Sequence, residues 1–143
     1  MTKTTMTRLL AAGAFALALP FHAPAAQAAG EEPKLIQLME EFDTAYRGFR
    51  RETDAEKALP IVREGQVAFL QSMAMLPPMV EKMPDGPAKA KAAATYRMMM
   101  AEVYLMLAKL ELAFIEGDMD AVAEHVGAIR AARRTGHDQF MEE

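Results

Sequence analysis

The chain has no cysteine, no tryptophan and only three histidines in 143 residues. Without cysteine there can be no disulfide, no iron–sulfur cluster, no thiol nucleophile, no cysteine zinc site and no thioether-linked haem. Three histidines (His22, His125 and His137) are too few for most histidine-rich metal sites. A net charge of −4 lacks the basic surplus of a nucleic-acid binder, so no nucleic-acid partner is expected. There is no Ser-His-Asp pattern, no glycine-rich phosphate loop and no H-E-x-x-H helix, so an enzyme is not expected either. Glu40 and Glu41 are adjacent on one exposed helix face, which suits solvation better than paired acid–base work. What the chain does have is a folded protein's composition, 52% hydrophobic and 25% charged, at a length that allows one ordinary domain.

The first segment reads as an address. Lys3 and Arg8 precede an apolar run over residues 9–19, Pro20 ends it, and small residues lead to Ala26-Gln27-Ala28. A positive start, a short apolar middle and an A-x-A end predict a secretory signal peptide over residues 1–28. The run is shorter than the roughly 20 apolar residues that span a bilayer, so no stable membrane association is expected. Cleavage after Ala28 leaves a domain over 29–143, with 14 basic and 20 acidic residues and a net charge of −6. His22 departs with the signal. The expected compartment is the periplasm.

Beyond residue 34 the apolar spacing is three and four, the period of a helix. The first stripe is Leu35, Leu38, Met39, Phe42, Ala45, Tyr46 and Phe49. The second is Leu59, Val62, Gln66, Phe69, Leu70, Met73 and Leu76, with Pro60 expected in the first turn, where its missing N–H is harmless. Pro77-Pro78 should stop this helix, and residues 77–87 are expected to form one long loop. The third stripe is Tyr96, Met99, Met100, Val103, Met106, Leu107, Leu110 and Phe114. Gly117 suits a C-terminal cap and Asp118 an N-cap. The last stripe is Met119, Val122, Val126, Ile129 and Arg133, then Gly136 or His137 with Phe140. No stretch alternates long enough for a strand. The prediction is an all-α fold, an antiparallel up-down-up-down four-helix bundle with helices of about 17–28 residues.

That topology brings the start of the first helix and the end of the last to one end of the bundle. Met39 lies in the second turn of the first helix and His137 near the end of the last. Helix axes pack roughly 8–10 Å apart, so a thioether and an imidazole can approach one metal from opposite sides. Histidine and methionine are a known axial pair for haem iron, the soft sulfur favouring the reduced state. Taken alone, a methionine on a helix face is usually core packing, and a histidine near a chain end is usually solvated. Arg133 and Arg134 suit carboxylates such as haem propionates, or simply complement a helix C-terminus. Met73, Leu76, Met79, Met83, Tyr96, Met99 and Met100 belong to the same end and suit an apolar shell or ordinary core filling. His125 is expected on the surface.

A set of short stretches, in order, then carries a resemblance. They are residues 35–42 (LIQLMEEF), Leu76-Pro77-Pro78, Pro84-Asp85-Gly86-Pro87, Tyr96-Arg97, Glu116-Gly117, and Arg133-Arg134-Thr135-Gly136-His137. Together they cover nearly all of residues 29–143, which resemble the cytochrome b562 family of four-helix bundles. The resemblance implies one non-covalent haem b (iron protoporphyrin IX), with Met39 and His137 as metal ligands and Phe42, Tyr96, Met100, Arg133 and Phe140 around the cofactor. It implies one-electron transfer in the periplasm with small redox proteins as partners, by a monomer or weak dimer. The related cytochromes c-prime carry C-x-x-C-H on the last helix; here Arg133 and Gly136 stand before His137, so covalent attachment is excluded. Gly136 departs from the family in leaving a gap beside the ligand, and the C-terminal Met141-Glu142-Glu143 offers no basic residue to a propionate.

Two other functions fit the residues. Eleven methionines follow residue 28, and Met73, Met75, Met79, Met83 and Met98-Met99-Met100 suggest a copper(I)-binding protein. Consecutive helical positions point about 100° apart, so the last three cannot all converge. The third reading is a haem-free bundle acting only through protein contacts.

Overall fold

The computed structural model describes residues 34–141. The expected signal peptide over 1–28, the first residues of the domain expected over 29–143, and Glu142-Glu143 lie outside the described residues. The described residues are all-α, with five helices: α1 (Lys34–Phe49), α2 (Ala55–Ser72), α3 (Pro78–Glu81), α4 (Pro87–Glu116) and α5 (Met119–Phe140). Among them no helix is long and apolar enough to cross a membrane.

The four long helices follow the apolar stripes. α1 buries Leu38, Phe42, Ala45, Tyr46 and Phe49. After it, the Glu52 carboxylate accepts from the Thr53 and Asp54 N–H groups, and Asp54 then caps α2 by accepting from Glu56. This cap starts α2 four residues before Leu59, so Pro60 lies inside the helix rather than in its first turn. Pro60 and Glu56 are both exposed, so water can take the Glu56 carbonyl that loses its partner. Gly65 lets α2 approach α1: a Cβ there would stand 3.2 Å from the Ala45 Cβ.

The stretch 77–87 is not one loop. Pro78 opens the single turn α3, because a proline at the first helical position costs nothing in hydrogen bonds. Its reward is Val80, 1% exposed in the core. Pro87 likewise opens α4, which therefore runs for 30 residues, while α1 has 16; both fall just outside the expected lengths. Gly117 ends α4 at φ 71°, a left-handed conformation that glycine adopts without Cβ strain. Asp118 caps α5 through the Ala121 N–H at 2.9 Å. The cap residues are as expected, whereas Leu70 (54% exposed) and Met119 (39%) lie outside the core despite their stripes.

α1 packs on α2, α2 on α4, and α4 on α5, with α3 against α4. Inside lie Phe49, Leu107, Leu110, Phe114 and Ile129, all essentially without solvent contact. α1 and α5 do not approach closely along their backbones. Side chains join them instead: Arg133 pairs with Asp43 and stacks over the Tyr46 ring, 4.7 Å from its centroid.

Candidate cofactor cavity

The gap between α1 and α5 opens into a cavity of about 780 Å³, well within the range of small-molecule and cofactor sites. α1 supplies Leu35, Met39, Phe42 and Asp43; α4 supplies Tyr96, Met99, Met100 and Val103; α5 supplies Arg133, Gly136, His137 and Phe140. Pro77, Pro78 and Met79 close one end. The helical period explains the selection: on each helix the lining residues recur at three and four.

All seven residues singled out in the sequence (Met39, Phe42, Tyr96, Met100, Arg133, His137 and Phe140) line this one cavity. Met39 is half-buried and His137 is exposed, while Phe42, Tyr96, Met100 and Phe140 are buried. Phe42 meets Phe69 edge-on at 4.8 Å, and Tyr96 meets Phe140 edge-on at 5.3 Å. These contacts fix two walls in place. Burial pushes the Tyr96 hydroxyl up to about 12, so it stays a neutral phenol.

The polar edge centres on Asp43. Burial raises its carboxyl, but the hydrogen bond from Arg47 and the charges of Arg133, Arg47 and His137 outweigh that and hold it below the usual carboxylate value. Asp43 is thus an anion shared by Arg47 and Arg133, with His137 close enough to feel it. The sequence reading missed Asp43. Its spacing of four from Arg47 is a legible helical ion pair; its bond to Arg133, ninety positions away, has no local signal.

Other expectations divide. Met79 and Met99 line the cavity, whereas Met73, Leu76 and Met83 pack partly buried against the core. Arg134 is exposed near Asp138, 3.9 Å away, and takes no part in the wall. His125 is half-buried rather than on the open surface. Met98 is exposed, diverging from Met99 and Met100 as the 100° step requires. Gly136 leaves open space: a Cβ there would meet nothing within 4 Å.

Among the described residues no group of three or more His, Cys, Asp or Glu side chains could hold a metal ion by itself. One imidazole and several thioethers line this cavity, together with the carboxylates of Glu40, Asp43 and Glu102. Such a set suits a metal whose other ligands come from a cofactor, or a soft metal held by sulfur. No protein-family model matches the chain, and no curated protein matches it.

Proposed function

We propose that the chain is a periplasmic electron-transfer protein that holds one non-covalent b-type haem between α1 and α5. In this reading residues 1–28 are its signal peptide, residues 29–143 its haem-binding domain, and the four long helices an antiparallel up-down-up-down bundle of the cytochrome b562 type. The observation that carries the reading is that Met39 and His137, 98 positions apart, line one cavity from two helices that do not otherwise close on each other.

The residues fit the group. His137 offers a ring nitrogen and Met39 a thioether sulfur, which would hold the iron. Phe42, Tyr96, Met100 and Phe140 supply apolar walls that exclude water and keep the local dielectric low. Arg133 and Arg47 supply cations at the rim that suit a propionate, with Asp43 as their present anion. Haem iron, when bound, would take up and release one electron. Held by both Met39 and His137, the group would supply electron transfer rather than substrate chemistry, which suits a carrier serving small redox proteins.

The test is a titration of the purified chain with hemin. An intense Soret band saturating at one equivalent is expected, and its reduction by one electron should give a low-spin spectrum. A chain that acquires no Soret band would overturn the reading.

A second reading rests on the five thioethers of Met39, Met79, Met99, Met100 and Met141, all on the same cavity. They favour copper(I). Competition between copper(I) and a colorimetric copper(I) chelator separates the two: tight copper binding with no Soret band would favour this alternative.

A further inference from the structure

α4 is apolar on two sides. Its inner side buries Tyr96, Met100, Val103, Leu107, Leu110 and Phe114. A second series, Met98, Leu105 and Leu112 with Ala94, Ala101, Ala108 and Ile115 between and beyond them, advances by alternating steps of four and three. That is an unbroken repeat of 3.5 residues, the seam by which one helix pairs with another. No helix of the described residues covers it. Met98, Leu105, Leu112 and Ile115 are 55–58% exposed. Single exposed apolar residues are ordinary, but four of them in heptad register on one helix are not.

We propose that this stripe is the interface of a homodimer, in which α4 of a second copy packs antiparallel against it about a twofold axis. Shape favours a second copy in this direction. Large residues occupy one heptad position and mostly alanines the other. Antiparallel pairing sets Leu105 against Ala108 and Leu112 against Ala101, large into small, with Met98 against Ile115 at the ends. Parallel pairing would set leucine on leucine and alanine on alanine, leaving voids.

Charge favours the same direction. Glu102 and Lys109 flank the stripe on one side and join no ion pair among the described residues. In the antiparallel pair Glu102 of one copy meets Lys109 of the other, twice by symmetry. A parallel pair would bring Glu111 against Glu116. The area is also sufficient. From Ala94 to Ile115 the stripe is about 32 Å long at 1.5 Å per residue and about 10 Å wide. Two copies, with the flanking stems, therefore bury on the order of 1,000 Å², the lower end for a specific interface. Such a dimer is weak and concentration-dependent. The apolar stripe lies opposite the inward-facing Met100 and Val103, whereas Glu102 beside it also lines the cavity.

Sedimentation equilibrium of the purified chain, from low micromolar to millimolar protein, tests this. A monomer–dimer equilibrium is expected. Leu105→Glu with Leu112→Glu should weaken it by roughly a hundredfold while the helical circular dichroism and hemin uptake stay unchanged. Lys109→Glu should weaken it several-fold, and adding Glu102→Lys should restore it. A chain monomeric throughout the range, a dimer indifferent to both glutamates, or a charge reversal that restores nothing would each overturn the proposal. Should the double-glutamate chain lose helicity, the charge-reversal pair decides alone.

Discussion

Two hollows open along the same helix pair, α1 and α5, and differ in almost everything but their origin. The cavity lies where the first part of α1 faces the end of α5, and its walls are methionine, phenylalanine and tyrosine. The second, a cleft of about 620 Å³, lies where the end of α1 faces the start of α5 and is rimmed by Arg50, Arg51 and Arg130. Between them stands the seam of Arg133, Asp43 and Tyr46. α5 contributes an unfilled glycine to each, Gly136 to the cavity and Gly127 to the cleft. A gap between two helices is therefore not what makes a site. The cavity differs in having apolar walls from three helices with a thioether and an imidazole among its lining residues, where the cleft has guanidinium groups at its rim.

The largest expected effect erases the comparison altogether. Phe49 is fully buried and meets Tyr46 edge-on at 5.5 Å, so Phe49→Ala should cost about 3–5 kcal/mol in urea unfolding and loosen both hollows. Next, His137→Ala should lower hemin affinity by roughly a hundredfold or more, while Arg130→Ala at the cleft leaves the titration unchanged. Gly136→Leu fills the cavity side of α5 and should weaken hemin uptake by roughly tenfold, with little loss of stability; Gly127→Leu should do neither. The smallest effect concerns the seam. Asp43 is held below its ordinary value, so its contribution is complete above that value and is lost as the pH falls through the lower one. Asp43→Asn should cost about 0.5–1 kcal/mol near neutrality, after allowance for screening by water, and flatten the acid limb of stability against pH.

Much of this was legible beforehand because helical periodicity is a local signal. The stripes of α1, α4 and α5, the Gly117 stop and the Asp118 cap all depend on residues within four positions of each other. The cavity wall followed from the same periodicity, since helices joined by short links must place Met39 and His137 at one end. Proline misled twice. Pro60 read as lying in a first turn, yet an exposed carbonyl tolerates it inside α2; α2 does end before Pro77, but Pro78 opens a turn within the expected loop. For Asp43 the pairing with Arg47 was legible in the spacing of four, but the bond to Arg133 across the gap was not. The outer stripe of α4 went unread for a different reason: once the inner stripe accounted for the helix, its heptad alanines looked like plain helix formers.

The most direct test of the central claim is proton NMR of the hemin-loaded chain in its reduced, diamagnetic state. A methionine bound to the iron lies under the porphyrin ring current, so one methyl resonance should move far upfield of all others and vanish in Met39→Ala alone. A reduced complex with no such resonance, or one that keeps it after Met39→Ala, would contradict the pairing of Met39 with His137.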